Sequence, residues 1–396
     1  MMTPTILCIA TYFKGDAFLR ECRGQGATVL LLTSDTLANA EWPRDAIDEI
    51  HTIRRGAGDA DVLRVVAGIA RRRAIDRVAA LDDFDVELCG TIREFLQVDG
   101  FGRTVASRFR DKLAMRRGAR RLGLPVPEFT GVFTDAAVDG WAAAVAPPWV
   151  LKPRSSAAST GIRKIARHED LWPALNAAGD DRPLCLLEQF VAGDVYHVDS
   201  IVRNGAIVFA VASKYGQPPM QIAHDGGVFV TRRLRDDSPD AVALLRANRM
   251  LLTGFELRNG VSHTEFIMSA NGVTFLETSA RVGGAYIADV VEAATGINLW
   301  REWARVELAG DDGAYDLPRA GSDAAGIALC LARQEQPDLS GYSDPEIIKR
   351  VPKKHHAGLI VRSPDFGRIE ALLGDYTARF SRDFLATMPA PERPVE

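Results

Sequence analysis

The chain has 396 residues, of which 47% are hydrophobic and 25% are charged, and its formal net charge is −4. This composition is that of a soluble globular protein, and the length suits two or three subdomains rather than one core. The sequence shows no basic stripe and no apolar run approaching the ~20 residues that span a membrane, so we expect neither a nucleic-acid nor a membrane partner.

Residues 1–105 alternate predicted strands and helices. The strands are Ile6–Ala10, Val29–Thr33 and Val78–Leu81, and the helical patterns cover Ala17–Gly24 and Asp61–Asp76. This alternation predicts a βα layered domain with a parallel sheet. The first strand is short and has no basic segment before it, so we interpret it as a buried strand and not as a signal peptide. The last strand ends in several acids, among them Asp82 and Asp83, which suit either a helix N-cap or a ligand site at a strand end.

The five cysteines are scattered, with no metal or redox spacing, at Cys8, Cys22, Cys89, Cys185 and Cys330. Such a pattern predicts free, mostly buried thiols in a reducing compartment. We therefore expect a cytoplasmic protein, and we leave open whether it forms a homodimer.

A lysine and a loop of small residues follow in the next part of the chain. Lys152 ends the apolar strand that begins at Trp149, where a charge needs an anionic partner; the alternative is a lysine that extends along the strand end into solvent. The loop Ser155–Gly161 consists of small residues whose backbone N–H groups can donate to phosphates. The alternative for this loop is a flexible hairpin tip.

Two later apolar runs each end in a carboxylate, Glu265 and Glu277. Asn271-Gly272 between them is a strong hairpin signal, so we expect the two glutamates on adjacent strands. Period 2 along a strand would put Glu277, Ser279 and Arg281 on one face. Two carboxylates, a short polar ligand and an arginine suit Mg²⁺ bound to a polyphosphate. An exposed hairpin without metal is the alternative, but an unpaired charge in an apolar run is costly.

These motifs resemble the ATP-grasp superfamily. The resemblance includes Arg110–Met115 followed by Leu122–Pro127, the Lys152 strand with its loop, Leu186–Gly193, and the glutamate hairpin. It implies an α/β fold built from α+β lobes, the ATP-grasp fold, with a Rossmann-like pre-ATP-grasp domain at the N-terminus. The implied domains are 1–105 (N-terminal), 106–190 (small lobe), 191–310 (large lobe with the metal site) and 311–396 (C-terminal subdomain).

The resemblance also implies which residues bind ATP. Lys112 and Lys152 would neutralise the phosphates. The loop residues Ser156, Ser159, Thr160 and Gly161 would close over them, and Glu188, Phe190 and Val191 would hold the adenine. The family usually places a glutamate for the ribose at the position that is Val195 here, so Asp194, one residue earlier, is the remaining candidate for the ribose, with a turn cap as the alternative.

For the metal, the resemblance implies Glu265 and Glu277 as ligands of Mg²⁺ or Mn²⁺. Ser279 stands where most relatives have an asparagine as a third ligand. Arg281 would grip the γ-phosphate and the acyl oxygen, and Gly283 and Gly284 would let substrate approach the backbone. His263 resembles the His-x-Glu of amino-acid-ligating relatives, and an ordinary strand histidine is its alternative.

The implied activity is that of a carboxylate–amine ligase similar to the L-amino-acid and dipeptide ligases. Arg281, Lys152 and Glu277 would be catalytic, ATP and Mg²⁺ or Mn²⁺ would be required, and the partners would be a small carboxylate and an amine. The carboxylate would form an acyl phosphate, and the amine would displace phosphate to give ADP and Pi. Two alternatives remain: an ATP-grasp enzyme with another acceptor, such as bicarbonate or a nucleotide precursor, and an ATP-binding module without turnover.

Overall fold

The computed structural model describes residues 3–156 and 160–386, and the strands of these residues form three sheets. One sheet belongs to the predicted N-terminal domain and a second belongs to the predicted small lobe. The third sheet is formed by the strands of the rest of the chain. Within the described ranges, no helix is both long enough and apolar enough to cross a membrane.

The N-terminal domain is the predicted βα layer, with a parallel sheet in the strand order β3-β2-β1-β4. Its elements are β1 (Thr5–Ala10), α1 (Asp16–Gly24), β2 (Thr28–Ser34), β3 (Glu49–Ile53), α2 (Asp59–Ala70), β4 (Arg77–Ala80), α3 (Val86–Leu96) and α4 (Arg103–Ala106). The edge strand β3 was not predicted, because its mixed polar sequence gives no clear apolar pattern. At the end of β4, Asp82 accepts a hydrogen bond from the backbone N–H of Phe84 (3.0 Å), which confirms the N-cap interpretation for this acid.

The small lobe is an antiparallel four-stranded sheet in the order β5-β8-β6-β7, with helices beside it. Its elements are α5 (Lys112–Arg121), β5 (Phe129–Gly131), α6 (Asp135–Ala144), β6 (Trp149–Pro153), β7 (Arg163–Ile165), α7 (Leu171–Asn176) and β8 (Cys185–Gln189). Asp111 caps α5 by accepting from the N–H of Leu113 (2.9 Å). This cap fixes where the helix begins, so Lys112 lies in its first turn at the lobe junction.

The remaining strands form one eight-stranded sheet in the order β13-β12-β9-β10-β11-β14-β16-β15. Its elements are β9 (Asp194–Arg203), β10 (Ala206–Tyr215), α8 (Pro219–Asp225), β11 (Phe229–Arg233), α9 (Pro239–Gly254), β12 (Gly260–Ser269), β13 (Gly272–Ser279), α10 (Ile287–Thr295), α11 (Leu299–Ala309), β14 (Ala324–Leu331), β15 (Ile347–Arg350), β16 (His356–Ser363) and α12 (Phe366–Asp383). Because β14 pairs with β11, the predicted C-terminal subdomain extends the sheet of the large lobe.

The Asn271-Gly272 hairpin forms as predicted. Gly272 has φ +95°, a left-handed conformation that favours glycine. The register that follows makes Glu265 and Glu277 direct partners on β12 and β13. Phe266 and Phe275, also partners, are fully buried below them, and each such aromatic contributes about 1.5–3 kcal/mol of burial. The apolar side of the hairpin therefore fixes the register that brings the two carboxylates together.

Candidate active site

A cavity of about 480 Å³ lies between the small-lobe sheet and the eight-stranded sheet. Many of the predicted site residues line it: Lys112, Lys152, Ser156, Thr160, Glu188, Phe190, Val191, Glu265 and Glu277. They come from seven separate elements or loops, so only the folded chain brings them together. Ser159 lies outside the described residues.

The two glutamates of the hairpin differ in their partners. The Glu277 carboxylate lies 3.1 Å from the Nζ of Lys112. Burial raises the pKa of Glu277, but Lys112 and Lys152 outweigh this and lower it to about 2. Glu265 accepts a hydrogen bond from the hydroxyl of Tyr215 (2.8 Å). Two carboxylates side by side on one cavity wall are the oxygen donors that a divalent cation such as Mg²⁺ prefers, so this donor set fits the predicted metal.

The two predicted lysines are both buried and both paired. Lys112 donates to the backbone carbonyl of Ser156 (2.7 Å) as well as contacting Glu277. Lys152 forms an ion pair with Glu188. Burial lowers the pKa of Lys152 to about 8, although Glu188 opposes the shift. A lysine with this pKa still carries its charge at pH 7, and a charged lysine can pair with an anionic group such as a phosphate.

Glu188 is engaged differently from the prediction. One carboxylate oxygen contacts Lys152 and the other accepts from Arg116 Nε (2.9 Å). Burial raises the pKa of Glu188, and the two cations more than offset this, so the pKa is lowered overall. Both oxygens therefore already have cationic partners, and the role of Glu188 at the adenine amine stays a prediction. Phe190 and Val191 remain on the cavity wall, with Lys164 Nζ 4.0 Å from the centre of the Phe190 ring.

Arg116 lies behind the cavity wall, in contact with the lining residues Glu188 and Leu276, and was not predicted from the sequence. It lies one helical turn after Lys112 on α5 and is fully buried. It also donates to the backbone carbonyl of Leu276 on β13. The i, i+4 spacing from Lys112 puts both cations on one helix face, and this spacing was the signal in the sequence.

The loop Ser155–Gly161 contributes one notable polar atom, the hydroxyl of Thr160. Thr160 Oγ1 is buried and has no hydrogen-bond partner among the described residues. An unpartnered buried hydroxyl is costly unless a ligand supplies its hydrogen bond. Gly161 has φ +73°, and a Cβ there would lie 2.9 Å from the Pro153 ring. Glycine therefore lets the loop fold back against the end of β6.

Arg281 lies past the end of β13, so strand alternation does not extend to it. Its Nε lies 3.8 Å from Asp83 Oδ1 of the N-terminal domain, and its Nη1 donates to the Val282 carbonyl (2.9 Å). Asp83 also accepts from Arg110 Nη1 (2.6 Å). Burial raises the pKa of Asp83, while Arg110, Arg281 and Ser279 lower it, so the net shift is downward. The acid cluster after β4 thus contains both an N-cap and an ion partner.

Ser279 lies beside Asp83 and does not line the described cavity. Its role as a third metal ligand stays a prediction. The predicted residue Asp194 does not line the cavity either. Val195 does, and the alternation of β9 sends Asp194 to the other face, where its carboxylate pairs with Lys214 (2.6 Å). The ribose role of Asp194 stays a prediction that this placement does not support.

His263 belongs to a buried network. Its Nδ1 lies 2.9 Å from Asp199 Oδ1, and Asp199 Oδ2 lies 2.7 Å from His197 Nδ1. Burial lowers the pKa of His263, but Asp199 and Glu265 raise it to about 9 overall. A Cβ at Gly283 would come within 2.9 Å of His263 Nδ1, whereas Gly284 has open space around it. Gly283 therefore lets the turn after Arg281 rest directly on the histidine.

Comparison with known proteins agrees with this geometry. Residues 109–285 match the ATP-grasp domain model, from the segment before α5 to the turn after Arg281. A crystal structure of an L-amino acid ligase from Bacillus licheniformis has a TM-score of 0.79 with the chain at 15% identity, covering 97% of this chain and 98% of the other. The chain therefore has the predicted ATP-grasp fold, and residues 109–285 are an ATP-grasp domain.

Two curated relatives also match in sequence. An L-arginine-specific L-amino acid ligase of Bacillus subtilis is 24% identical over 241 residues, which cover 59% of this chain and 58% of the relative. A D-alanine–D-alanine ligase of Laribacter hongkongensis is 30% identical over 196 residues, covering 47% of this chain and 62% of the relative. The chain thus spans about three-fifths of the length of these relatives.

Proposed function

We propose that this protein is an ATP-dependent carboxylate–amine ligase that acts on an amino acid or a similar small carboxylate. One observation carries the proposal: the ATP-grasp domain brings two paired carboxylates, Glu265 and Glu277, to one cavity with Lys112 and Lys152. The similarity of the chain to two amino-acid-ligating enzymes supports an amide as the product.

Glu265 and Glu277 would hold Mg²⁺ or Mn²⁺ between the hairpin and the nucleotide phosphates. The bound metal supplies charge neutralisation at the β- and γ-phosphates. Tyr215 orients Glu265 through its hydrogen bond, and Lys112 orients Glu277. Both carboxylates are thereby held before any ligand arrives.

The remaining residues position substrates and stabilise charge, since phosphoryl transfer needs little covalent help from a protein. Lys112 and Lys152 bind the phosphates, and Thr160 offers a hydroxyl that has no hydrogen-bond partner within residues 3–156 and 160–386. In the first step, an oxygen of the substrate carboxylate bonds to the γ-phosphorus, and the bond from that phosphorus to the β,γ-bridging oxygen breaks to release ADP. Arg281 stabilises the negative charge on the γ-phosphate and the carboxylate oxygen.

In the second step, the amine nitrogen attacks the acyl carbon. The bond from that carbon to the phosphate oxygen breaks, inorganic phosphate leaves, and the nitrogen loses a proton. A module that only bound ATP would have no need of a half-buried arginine beside Asp83, just beyond the two glutamates of the hairpin. This arrangement favours turnover over binding alone.

The state of the thiols supports a cytoplasmic location. All five cysteines are free and buried. Burial raises the pKa of Cys89 and of Cys330 to about 11 each, which makes both thiols poor nucleophiles. Cysteines of this kind persist in a reducing compartment.

The proposal is tested by measuring phosphate release from ATP and Mg²⁺ with pairs of amino acids. Release is expected only when a suitable carboxylate and a suitable amine are both present, with ADP as the nucleotide product. Formation of AMP and pyrophosphate would show adenylation instead. Glu277→Gln, assayed in parallel, controls for contaminating ATPases because it should lose the activity.

A further inference from the structure

Arg116 connects the two lobes through buried contacts. Its side chain is 0% exposed. Arg116 Nε and Nη2 both lie 2.9 Å from Glu188 Oε2 on β8 of the small lobe. Its Nη1 donates to the Leu276 carbonyl on β13, next to Glu277. Arg116 on α5 therefore contacts both β8, which pairs with the strand of Lys152, and β13, which carries Glu277.

Glu188 is shared by two cations. Arg116 and Lys152 both contact it, while Lys112 contacts Glu277 on the hairpin. Removing the charge of Arg116 would leave Glu188 with Lys152 as its single cationic contact among the described residues.

A buried carboxylate with one cationic partner binds that partner tightly, since breaking the pair would leave an uncompensated charge. Lys152 would then have to leave Glu188 without a cationic contact in order to bind a phosphate. With Arg116 present, Glu188 keeps a second partner when the lysine moves towards the nucleotide. Arg116 therefore lowers the free-energy cost of moving Lys152 from Glu188 to the nucleotide.

We propose that Arg116 is a positioning residue that shares Glu188 with Lys152 and so keeps Lys152 available to bind ATP. This inference rests on the ATP-binding part of the proposed function and not on the identity of the acceptor. It adds to the two lysines a third cation that acts through Glu188 rather than by touching the nucleotide.

The experiment measures ATP affinity in the presence of Mg²⁺ by calorimetry. Arg116→Met should weaken ATP binding by about tenfold or more, which equals about 1.4 kcal/mol. Arg120→Met is the matched control, because Arg120 lies one turn later on α5, is 45% exposed and pairs with Glu128 at the surface. It should bind ATP like wild type. Arg116→Lys keeps the charge and should retain most of the affinity.

A second variant separates positioning from packing. In Arg116→Met/Glu188→Gln the lysine no longer has a carboxylate to hold it, so the double variant should bind ATP more tightly than Arg116→Met. If Arg116→Met does not fold, the double variant is compared with Glu188→Gln instead, and these two should bind ATP with similar affinity. Weaker ATP binding by the double variant than by the single variant it is compared with would overturn the inference. Wild-type affinity in Arg116→Met would overturn it as well. Failure of the wild-type protein to bind ATP would instead overturn the proposed function.

Discussion

Glu265 and Glu277 face each other as direct partners on the antiparallel strands β12 and β13. Each carboxylate is held by a different side chain, Glu265 by Tyr215 and Glu277 by Lys112. The hairpin therefore presents a preformed pair of oxygen donors at the cavity.

Glu277→Gln should abolish most turnover while the protein stays folded. The amide keeps the size of the side chain but loses the charge that Lys112 and a divalent metal require. Steady-state rates at limiting Mg²⁺, with the far-UV circular dichroism spectrum as the folding control, measure this. Wild-type turnover in the variant would remove Glu277 from the metal site.

Lys152→Ala should weaken ATP binding by more than the 0–1 kcal/mol that a surface ion pair is worth, because Lys152 is buried beside the cavity. Lys349→Ala is a suitable control, since Lys349 pairs with Asp289 at the surface, away from the cavity. Calorimetric titration with ATP and Mg²⁺ compares the two variants. Equal affinities for Lys152→Ala and wild type would contradict the assignment.

The affinity for ATP should fall as the pH rises through about 8, the pKa of Lys152 in the folded protein. Burial depresses this pKa, so Lys152 is protonated below pH 8, and above it ATP binding must take up a proton. Proton uptake can be measured by calorimetry at pH 8.5 in buffers of different ionisation enthalpy. In Lys152→Arg the uptake should disappear, because arginine stays charged. Persistent uptake in that variant would assign the titration to another group.

Asp194→Ala should leave the preference for ATP over 2′-deoxy-ATP unchanged. Asp194 pairs with Lys214 on the face of β9 away from the cavity, so it has no contact with a ribose there. The ratio of the two dissociation constants measures this. A smaller ratio in the variant would return Asp194 to the nucleotide site.

The parts of the site that depend on local sequence could be predicted. The glutamate hairpin follows from two apolar runs around Asn271-Gly272, and the strand that ends at Lys152 follows from the apolar run that begins at Trp149. These features are read within ten or twenty residues, where periodicity and turn chemistry act directly.

The pairings between distant residues could not be predicted. Arg116 meets Glu188, 72 residues later, and Arg281 meets Asp83 of the first domain. A single sequence gives no signal for which distant charges become partners, because the docking of the lobes decides it. The placement of Asp194 has a local cause: one residue of offset from Val195 on a strand reverses the face.

The proposed ligase activates a carboxylate as an acyl phosphate. This intermediate can be trapped by incubating the protein with ATP, Mg²⁺ and the carboxylate found by phosphate release, with hydroxylamine in place of the amine. We expect a hydroxamate to form in step with ADP, and Arg281→Ala to suppress both together because it acts before the amine arrives. AMP and pyrophosphate, or ADP without hydroxamate, would contradict the claim.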